Sequence, residues 1–129
     1  MTASGKWQPG ALRQALTEVL GGSHRGARAD ELAARTGWSV SSVRRELALM
    51  EQLGLIRAGY PVRAAQWRLT IGGEILWLLS KGEQRTPVLA TMLGQPEVSI
   101  SAEAIRLAHL GLVRGRSGQS WRLAGKAAR

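Results

Sequence analysis

Arginine is the residue type in this sequence that is best suited to binding chemistry. Fifteen of the 18 basic residues are Arg, and the other three are Lys6, Lys81 and Lys126. The planar guanidinium group carries a fork of N–H donors that matches two oxygens of a phosphate or the O6 and N7 acceptors of guanine. This composition favours nucleic acid as the partner.

The net charge supports the same partner. The 18 basic residues exceed the nine acidic ones, which leaves a formal charge of +9 and a pI of about 11.6. A pI above about 9 is typical of nucleic-acid-binding domains. Acidic membrane surfaces and acidic proteins remain alternative partners on charge alone.

Catalytic chemistry finds little support in the residue types. His24 and His109 are the two histidines, and the sequence has no cysteine to complete a transition-metal site with them. Glu31, Glu46 and Glu103 are expected on helices as solvated or helix-pairing charges rather than as a catalytic carboxylate pair. No glycine belongs to a phosphate-binding loop. The sequence therefore predicts no enzyme, no cofactor and no metal site.

Length and composition limit the architecture. The chain has 129 residues and 13.9 kDa, which suits one ordinary domain or two small ones. Its 44% hydrophobic and 21% charged residues are typical of a globular protein. Without cysteine, without an apolar run of about 20 residues and without a signal-peptide core in residues 1–10, we expect a cytoplasmic, nucleoid-associated protein with no membrane partner.

An internal repeat organises the chain. Shifting the sequence by 57 residues aligns Leu32 with Leu89 and continues without gaps to Arg57 and Arg114. After a three-residue deletion, Trp67-Arg68-Leu69 aligns with Trp121-Arg122-Leu123. The matched residues are mostly apolar side chains and glycines, so the two halves are expected to share a fold without necessarily sharing a function.

Each half predicts three helices followed by a hairpin. In the first half, Leu12, Leu16, Val19 and Leu20 have helical spacing, and residues 30–35 form a short second helix. The third helix is capped by Ser39, and its apolar face is formed by Val43, Leu47, Met50 and Leu53. Strands follow at residues 55–56 and 66–69. In the second half we expect helices at 71–79 and 99–109 and strands at 112–113 and 121–123.

The predicted fold class is mainly α with small β-hairpins (α+β), formed by two modules packed together. Residues 1–10 are an N-terminal extension, residues 11–70 the first module, residues 71–125 the second, divergent module and residues 126–129 a basic tail. Four tryptophans are expected in apolar cores rather than as base-stacking platforms: Trp38, Trp67, Trp77 and Trp121.

Residues 31–57 resemble the winged helix-turn-helix of bacterial transcription regulators. The resemblance rests on Leu32-Ala33 in the second helix, a turn at Gly37, a third helix capped by Ser39, and Leu53-Gly54-Leu55-Ile56 leading into the hairpin. The repeat extends the resemblance, more weakly, to a second tandem copy. It does not identify a specific protein.

The resemblance implies that the third helix lies in the major groove of double-stranded DNA. The candidate DNA-contacting residues on this helix are Ser39, Val40, Ser41, Ser42, Arg44 and Arg45. We expect Arg45 to contact a base and Arg44 the backbone. The alternative is that Ser39 is only a helix cap and that the arginines form an ordinary solvated face.

The hairpin, or wing, would add contacts to phosphates. Arg57, Arg63 and Arg68 lie in a stretch from Leu53 to Thr70 that contains no acidic residue. Strand alternation places Arg68 outward, between an inward Trp67 and Leu69. Arg28 precedes the second helix, where it could meet a phosphate near the helix N-terminus. Each of these arginines could also be a bystander.

The second copy differs at the groove-facing positions. Arg44 and Arg45 align with Ser101 and Ala102, and Ser41 aligns with Val98. Its basic residues lie in the hairpin and the tail instead: Arg114, Arg116, Arg122, Lys126 and Arg129. The second copy could therefore bind phosphates through Arg114 and Arg116, or form a homodimer through Val98 and Ile105.

These observations predict a sequence-specific double-stranded DNA-binding protein of bacterial or mobile-element type, and specifically a transcription regulator. Three alternatives remain open at this point. They are a plasmid or phage replication protein that binds an origin, a tandem winged-helix module that binds proteins, and an RNA-binding winged-helix protein.

Overall fold

The computed structural model describes residues 10–22, 26–59, 66–116 and 119–124. The chain divides into two compact units, unit 1 at Met1–Thr70 and unit 2 at Ile71–Arg129. Most of the predicted extension (residues 1–9), the predicted tail (126–129), His24 and the predicted contact Arg63 lie outside the described residues.

Unit 1 contains three helices and a two-stranded antiparallel sheet among its described residues. The helices are α1 (Ala11–Gly21), α2 (Ala29–Thr36) and α3 (Val40–Gln52), and the strands are β1 (Ile56–Ala58) and β2 (Trp67–Leu69). The predicted order of elements is confirmed. The second helix is one residue longer at each end than predicted, and the first strand begins one residue later.

The core of unit 1 follows from helical periodicity. Leu12, Leu16 and Leu20 are spaced by four residues, which places them on one face of α1, and all three are buried. Val43 and Leu47 are buried on α3 in the same way. Burial of a large aliphatic side chain contributes roughly 1.5–3 kcal/mol, so these faces hold the three helices together.

The turn between α2 and α3 is sharp because of two residues. Gly37 ends α2 with φ of 78°, a left-handed conformation that glycine adopts at little cost. Ser39 then begins α3, since its Oγ accepts a hydrogen bond from the backbone N–H of Ser42 at 3.1 Å. The predicted glycine turn and serine cap are both confirmed.

The strands of unit 1 pair in a defined register. Ile56 lies opposite Leu69, Arg57 opposite Arg68, and Ala58 opposite Trp67. Trp67 also pairs with Ala27 in an isolated bridge whose two N–H···O distances are 3.1 and 2.7 Å. Arg68 is exposed while Trp67 and Leu69 are half-buried, which agrees with the predicted alternation.

Unit 2 has the same order of helices and one additional strand. Its elements are α4 (Ile71–Leu79), β3 (Gln84–Arg85), α5 (Thr86–Leu93), α6 (Glu97–His109), β4 (Val113–Gly115) and β5 (Ser120–Leu123). The three strands form an antiparallel sheet in the order β3-β5-β4. The sequence did not predict β3. Helix α6 starts two residues earlier than expected because Pro96, with φ of −62°, serves as its N-cap.

The core of unit 2 contains the residues that align with those of unit 1. Leu89, Ile100 and Leu107 are buried, as are their counterparts Leu32, Val43 and Met50 in unit 1. Of the four tryptophans expected in cores, Trp121 is 1% exposed. The other three, Trp38, Trp67 and Trp77, are half-buried.

The helices and small antiparallel sheets of both units make the described part of the chain α+β. None of its helices is long and apolar enough to span a membrane.

Candidate nucleic-acid interface

Helix α3 exposes one continuous polar and basic face. Successive residues of a helix are about 100° apart, so Ser41, Arg45 and Ala48 lie opposite the buried side of α3. All three are exposed, as are Val40 and Arg44 on one flank. Of the predicted contacts on this helix, Ser42 alone is half-buried. The side of α3 that faces away from the core therefore presents two guanidinium groups.

Three hydroxyl groups cluster at the N-terminus of α3. Ser39 Oγ lies 2.9 Å from Ser42 Oγ and 3.3 Å from Ser41 Oγ. Ser39 therefore acts as the predicted cap, while Ser41 is exposed and keeps hydrogen-bonding capacity toward a ligand. Hydroxyls and backbone amides at a helix N-terminus favour an approaching anion such as a phosphate.

An ion pair fixes α3 to α1. Arg13 Nε donates a hydrogen bond to Glu46 Oε2 at 2.8 Å, and the two side chains are 25% and 19% exposed. The pair joins residues 33 positions apart. Because Glu46 is held by Arg13 on this side of α3, its negative charge is neutralised close to the candidate contact Arg45.

An open groove of about 530 Å³ lies beside the same part of α3. Its walls combine the beginning of α1 with one flank of α3. The lining residues are Gly10, Ala11, Leu12, Arg13, Trp38, Ser42, Arg45, Glu46 and Leu49. The predicted base contact Arg45 therefore belongs both to the outward face of α3 and to the wall of this groove.

The first wing places two arginines directly opposite each other. Arg57 on β1 and Arg68 on β2 are cross-strand partners, and both are exposed. Like charges at opposite positions destabilise an antiparallel pair. A polyanion that contacts the exposed side of the hairpin would relieve this repulsion, so the arrangement suits a phosphate backbone.

Arg28 precedes α2, as predicted, and has two acidic neighbours there. Its backbone N–H donates to Glu31 Oε1 at 2.8 Å, and its Nε lies 3.6 Å from Asp30 Oδ1. Asp30 and Glu31 both lie in the first turn of α2. These carboxylates already complement the helix N-terminus, so Arg28 is less suited to a phosphate contact than Arg57.

The corresponding face of α6 in unit 2 is apolar. Val98 is 80% exposed and Ile105 is 40% exposed, and Ala102 lies between them on the surface. Ser101 is half-buried. An ion pair on α6 joins Arg106 to Glu103, and this hydrogen bond raises the pKa of Arg106. The positions of α6 that align with Arg44 and Arg45 are Ser101 and Ala102, which carry no guanidinium group.

The second hairpin repeats the arginine pair of the first. Arg114 on β4 lies opposite Arg122 on β5, and both side chains are exposed. Arg116 follows β4 and is also exposed. Exposed guanidinium groups therefore occur on the hairpins of both units. On the third helix, unit 1 exposes Arg44 and Arg45, whereas the 40% exposed side chain of Arg106 in unit 2 is paired with Glu103.

Sequence reasoning missed two parts of this region. Arg13 was not predicted to hold α3, and Trp38, expected in the core, lines the groove. Arg13 follows the buried residue Leu12, so the sequence indicates that Arg13 lies near the edge of the core. No pattern in the sequence indicates that Glu46, 33 residues away, is its partner. No group of three or more potential metal ligands occurs among the described residues, and His109 is exposed.

Comparison with known proteins supports a winged helix in unit 1. Residues 6–59 match the family model of the DprA winged helix domain, a segment that contains α1, α2, α3 and β1. The match covers less than half of the 129 residues. No curated protein and no solved structure matches the chain. Unit 1 therefore has a winged helix fold, which in general is a DNA-binding fold.

Proposed function

We propose that this protein binds double-stranded DNA in a sequence-specific manner and acts as a transcription regulator, without catalysis. Helix α3 enters the major groove, where Arg45 and Ser41 contact base edges and Arg44 contacts the backbone. The basic hairpins contact phosphates. The observation that carries the proposal is the outward face of α3, where Arg44 and Arg45 are exposed on the third helix of a winged helix.

The two arginines suit complementary tasks. Arg45 lies opposite the buried face of α3, so it projects furthest toward a ligand that contacts this side of the helix. A bidentate contact from such an arginine to guanine contributes about 1–3 kcal/mol of discrimination between bases. Arg44 lies toward one flank, where a phosphate of the adjacent strand is the expected partner.

The hairpins supply contacts that do not depend on base sequence. Arg57 and Arg68 form one cross-strand pair, and Arg114 and Arg122 form another. Each contacted phosphate releases counterions and steepens the salt dependence of binding. The proposal therefore assigns sequence recognition to unit 1 and phosphate contacts to both units.

We also propose that unit 2 is a second, divergent winged helix. Its three helices have the same order as those of unit 1, and Gly94 between α5 and α6 has φ of 63°, comparable to Gly37 in unit 1. The aligned tryptophans Trp67 and Trp121 pair with Ala27 and Gln84, which are themselves 57 residues apart. The shared order, turn and pairing support a tandem repeat.

The test is DNA binding measured by fluorescence anisotropy over a salt series with a random-sequence duplex. The variant Arg44→Ala/Arg45→Ala is compared with Arg35→Ala/Lys81→Ala, which removes two exposed basic residues from outside the proposed interface. We expect the first variant to bind at least tenfold more weakly, with a lower salt slope, while the control stays close to wild type. Circular dichroism establishes that both variants are folded.

Two outcomes overturn the assignment. Equal binding by both variants would remove α3 from the interface and leave the hairpins as the contact surface. Absence of binding at low salt would exclude DNA as the partner and favour the protein-interaction alternative. If duplex binding is found, selection from a random library should enrich a defined motif.

A second candidate is supported by the family match. The similarity of residues 6–59 to a DprA winged helix domain favours a role in DNA processing. Origin binding in plasmid or phage replication is instead a variant of the first proposal, because it too requires a specific duplex site. If the role is DNA processing, the selection would enrich no promoter-like motif, and the protein would prefer single strands or junctions over duplexes of equal length. Competition between these DNA forms separates the two candidates.

A further inference from the structure

Helix α6 of unit 2 carries an exposed apolar stripe. Val98, Ala102, Ile105 and His109 are spaced by four, three and four residues, which places them on one side of the helix. Val98 is 80% exposed, the highest value of any large apolar side chain among the described residues, and Ile105 is 40% exposed. We call these four residues the α6 stripe.

The stripe replaces a polar face. In unit 1 the aligned positions are Ser41, Arg45 and Ala48, which form the outward face of α3. Two of the three positions have thus changed from polar or charged to apolar residues, and the third from Ala48 to the larger Ile105. A surface of this kind is suited to a protein partner rather than to phosphates.

The charges at the ends of α6 are arranged for an antiparallel partner. Glu97 lies in the first turn, and Arg106 and His109 lie in the last turn. When two copies of this helix pair in opposite directions, Glu97 of each copy approaches His109 of the other, and the imidazole N–H can donate a hydrogen bond to the carboxylate. In this arrangement the partially positive N-terminus of each helix also lies beside the partially negative C-terminus of the other, which is favourable.

We propose that the α6 stripe is the interface of a homodimer in which two α6 helices pair antiparallel around a twofold axis near Ala102. Val98 of each chain packs against Ile105 of the other, because the midpoint of these two residues lies between Ser101 and Ala102, close to the axis. The small side chain of Ala102 lets the helices approach closely. The stripe carries no Lys or Arg, so the basic residues that give each chain its charge of +9 lie outside the contact.

The size of the helix limits the affinity of this dimer. Thirteen residues of α6 extend about 20 Å, so one helix pair buries a small interface compared with a standard complex of about 1,600 Å². We therefore expect a reversible dimer with a dissociation constant in the micromolar range. This proposal needs no nucleic acid and is independent of the proposed DNA binding.

The first test is sedimentation velocity of the full chain without DNA, over a concentration series up to about 100-fold above the expected dissociation constant. Wild type should reach twice the 13.9 kDa mass of the chain. Ile105→Asp should remain monomeric, while Leu49→Asp should still dimerise. Leu49 is a matched control because it is 41% exposed, carries the same change and lies on the third helix of unit 1.

A cysteine crosslink tests the position of the twofold axis. Because the natural sequence contains no cysteine, Ala102→Cys introduces a single thiol. A residue near the axis faces its own copy, so mild oxidation should convert most of this variant to a disulfide dimer. Ala34→Cys, exposed on α2, controls for random collisions.

Charge exchange tests the antiparallel direction. Glu97→Lys should weaken dimerisation several-fold, and adding His109→Glu should restore it. A monomer at every concentration, or a dimer that is unaffected by Ile105→Asp, would overturn the proposal. Equal crosslinking of the two cysteine variants would overturn the placement of the axis, and circular dichroism identifies any variant that is unfolded.

Discussion

The indole Nε1 of Trp121 donates a hydrogen bond to Thr86 Oγ1 at 3.0 Å within the core of unit 2. The two residues are 1% and 2% exposed and are separated by 35 positions in the sequence. Thr86 begins α5 and Trp121 lies on β5, so this bond joins the second helix of the unit to its sheet. It satisfies two polar groups that are inaccessible to water.

Replacement of Thr86 should therefore be costly. Thr86→Val keeps the shape of the side chain but leaves the buried indole N–H without its acceptor, which is expected to lower the free energy of unfolding by about 1–3 kcal/mol. The control is Thr91→Val on the same helix, where the hydroxyl is exposed, and it should change stability by less than about 0.5 kcal/mol. Urea denaturation followed by tryptophan fluorescence measures both. Equal losses for the two variants would show that the hydrogen bond contributes nothing specific.

Local patterns in the sequence were sufficient for the helices but not for this contact. The spacing of Leu12, Leu16 and Leu20 predicts the buried face of α1 because it depends on helical periodicity alone. The strand β3 has two residues, Gln84 and Arg85, and no alternation of apolar residues that would mark it. Its existence depends on pairing with β5, a tertiary interaction between distant residues.

In the candidate site, too, local periodicity predicts some features and tertiary contacts determine the others. Exposure of Arg44 and Arg45 follows from the burial of Val43 and Leu47 on the same helix. The opposition of Arg57 and Arg68 depends on the hairpin register, which the loop sequence did not define. The contact between Arg13 and Glu46 spans two helices, so it requires knowledge of how they cross.

The ion pair of Arg13 and Glu46 should contribute measurably to stability. Both side chains are at least three-quarters buried, so water screens the pair less than it screens a surface pair. A double-mutant cycle with Arg13→Ala and Glu46→Ala should give a coupling energy of about 0.5–1 kcal/mol. The same cycle for Arg28 and Asp30, whose side chains are 55% and 60% exposed, serves as the control and should give a value near zero. A larger coupling for the exposed pair would contradict this account.

The first wing should show opposite effects on stability and on binding. Arg57→Gln removes one of two like charges at opposite strand positions and should raise the free energy of unfolding by a few tenths of a kcal/mol. The same change should weaken DNA binding and lower the salt slope by about one unit, because one phosphate contact is lost. Thermal unfolding and anisotropy on the same preparations measure both quantities. Loss of stability together with loss of binding would instead indicate that Arg57 supports the fold.

Glu74 should make stability depend on pH. Burial in the first turn of α4 raises the pKa of this carboxyl, so the folded chain binds its proton more tightly than the unfolded chain does. The free energy of unfolding therefore falls as pH rises from the unfolded pKa, about 4.5, through the higher folded pKa, and it stays reduced above that window.

Glu74→Gln cannot ionise and should be slightly more stable than wild type at pH 7, with the difference shrinking toward pH 4. Glu51→Gln, on the exposed side of α3, removes the same charge and serves as the control. Melting temperatures of the three proteins between pH 4 and pH 8 provide the measurement. A stabilisation of Glu74→Gln that stays constant over this range would exclude the carboxyl of Glu74 as its cause.

Gly26 should be among the least replaceable residues of unit 1. Its φ is 84°, and a Cβ atom at this position would lie 2.8 Å from the backbone oxygen of Trp67. That oxygen cannot move away freely because it accepts the N–H of Ala27 at 3.1 Å. Strain and contact together should make Gly26→Ala destabilising by at least about 2 kcal/mol.

Gly22→Ala is the matched control, since Gly22 has φ of −89° and its nearest atom would be 3.8 Å from the new Cβ. That control should be neutral or stabilising by up to about 1 kcal/mol. Similar urea midpoints for the two variants would show that the backbone bridge between Ala27 and Trp67 can shift to accommodate the new Cβ at little cost in stability.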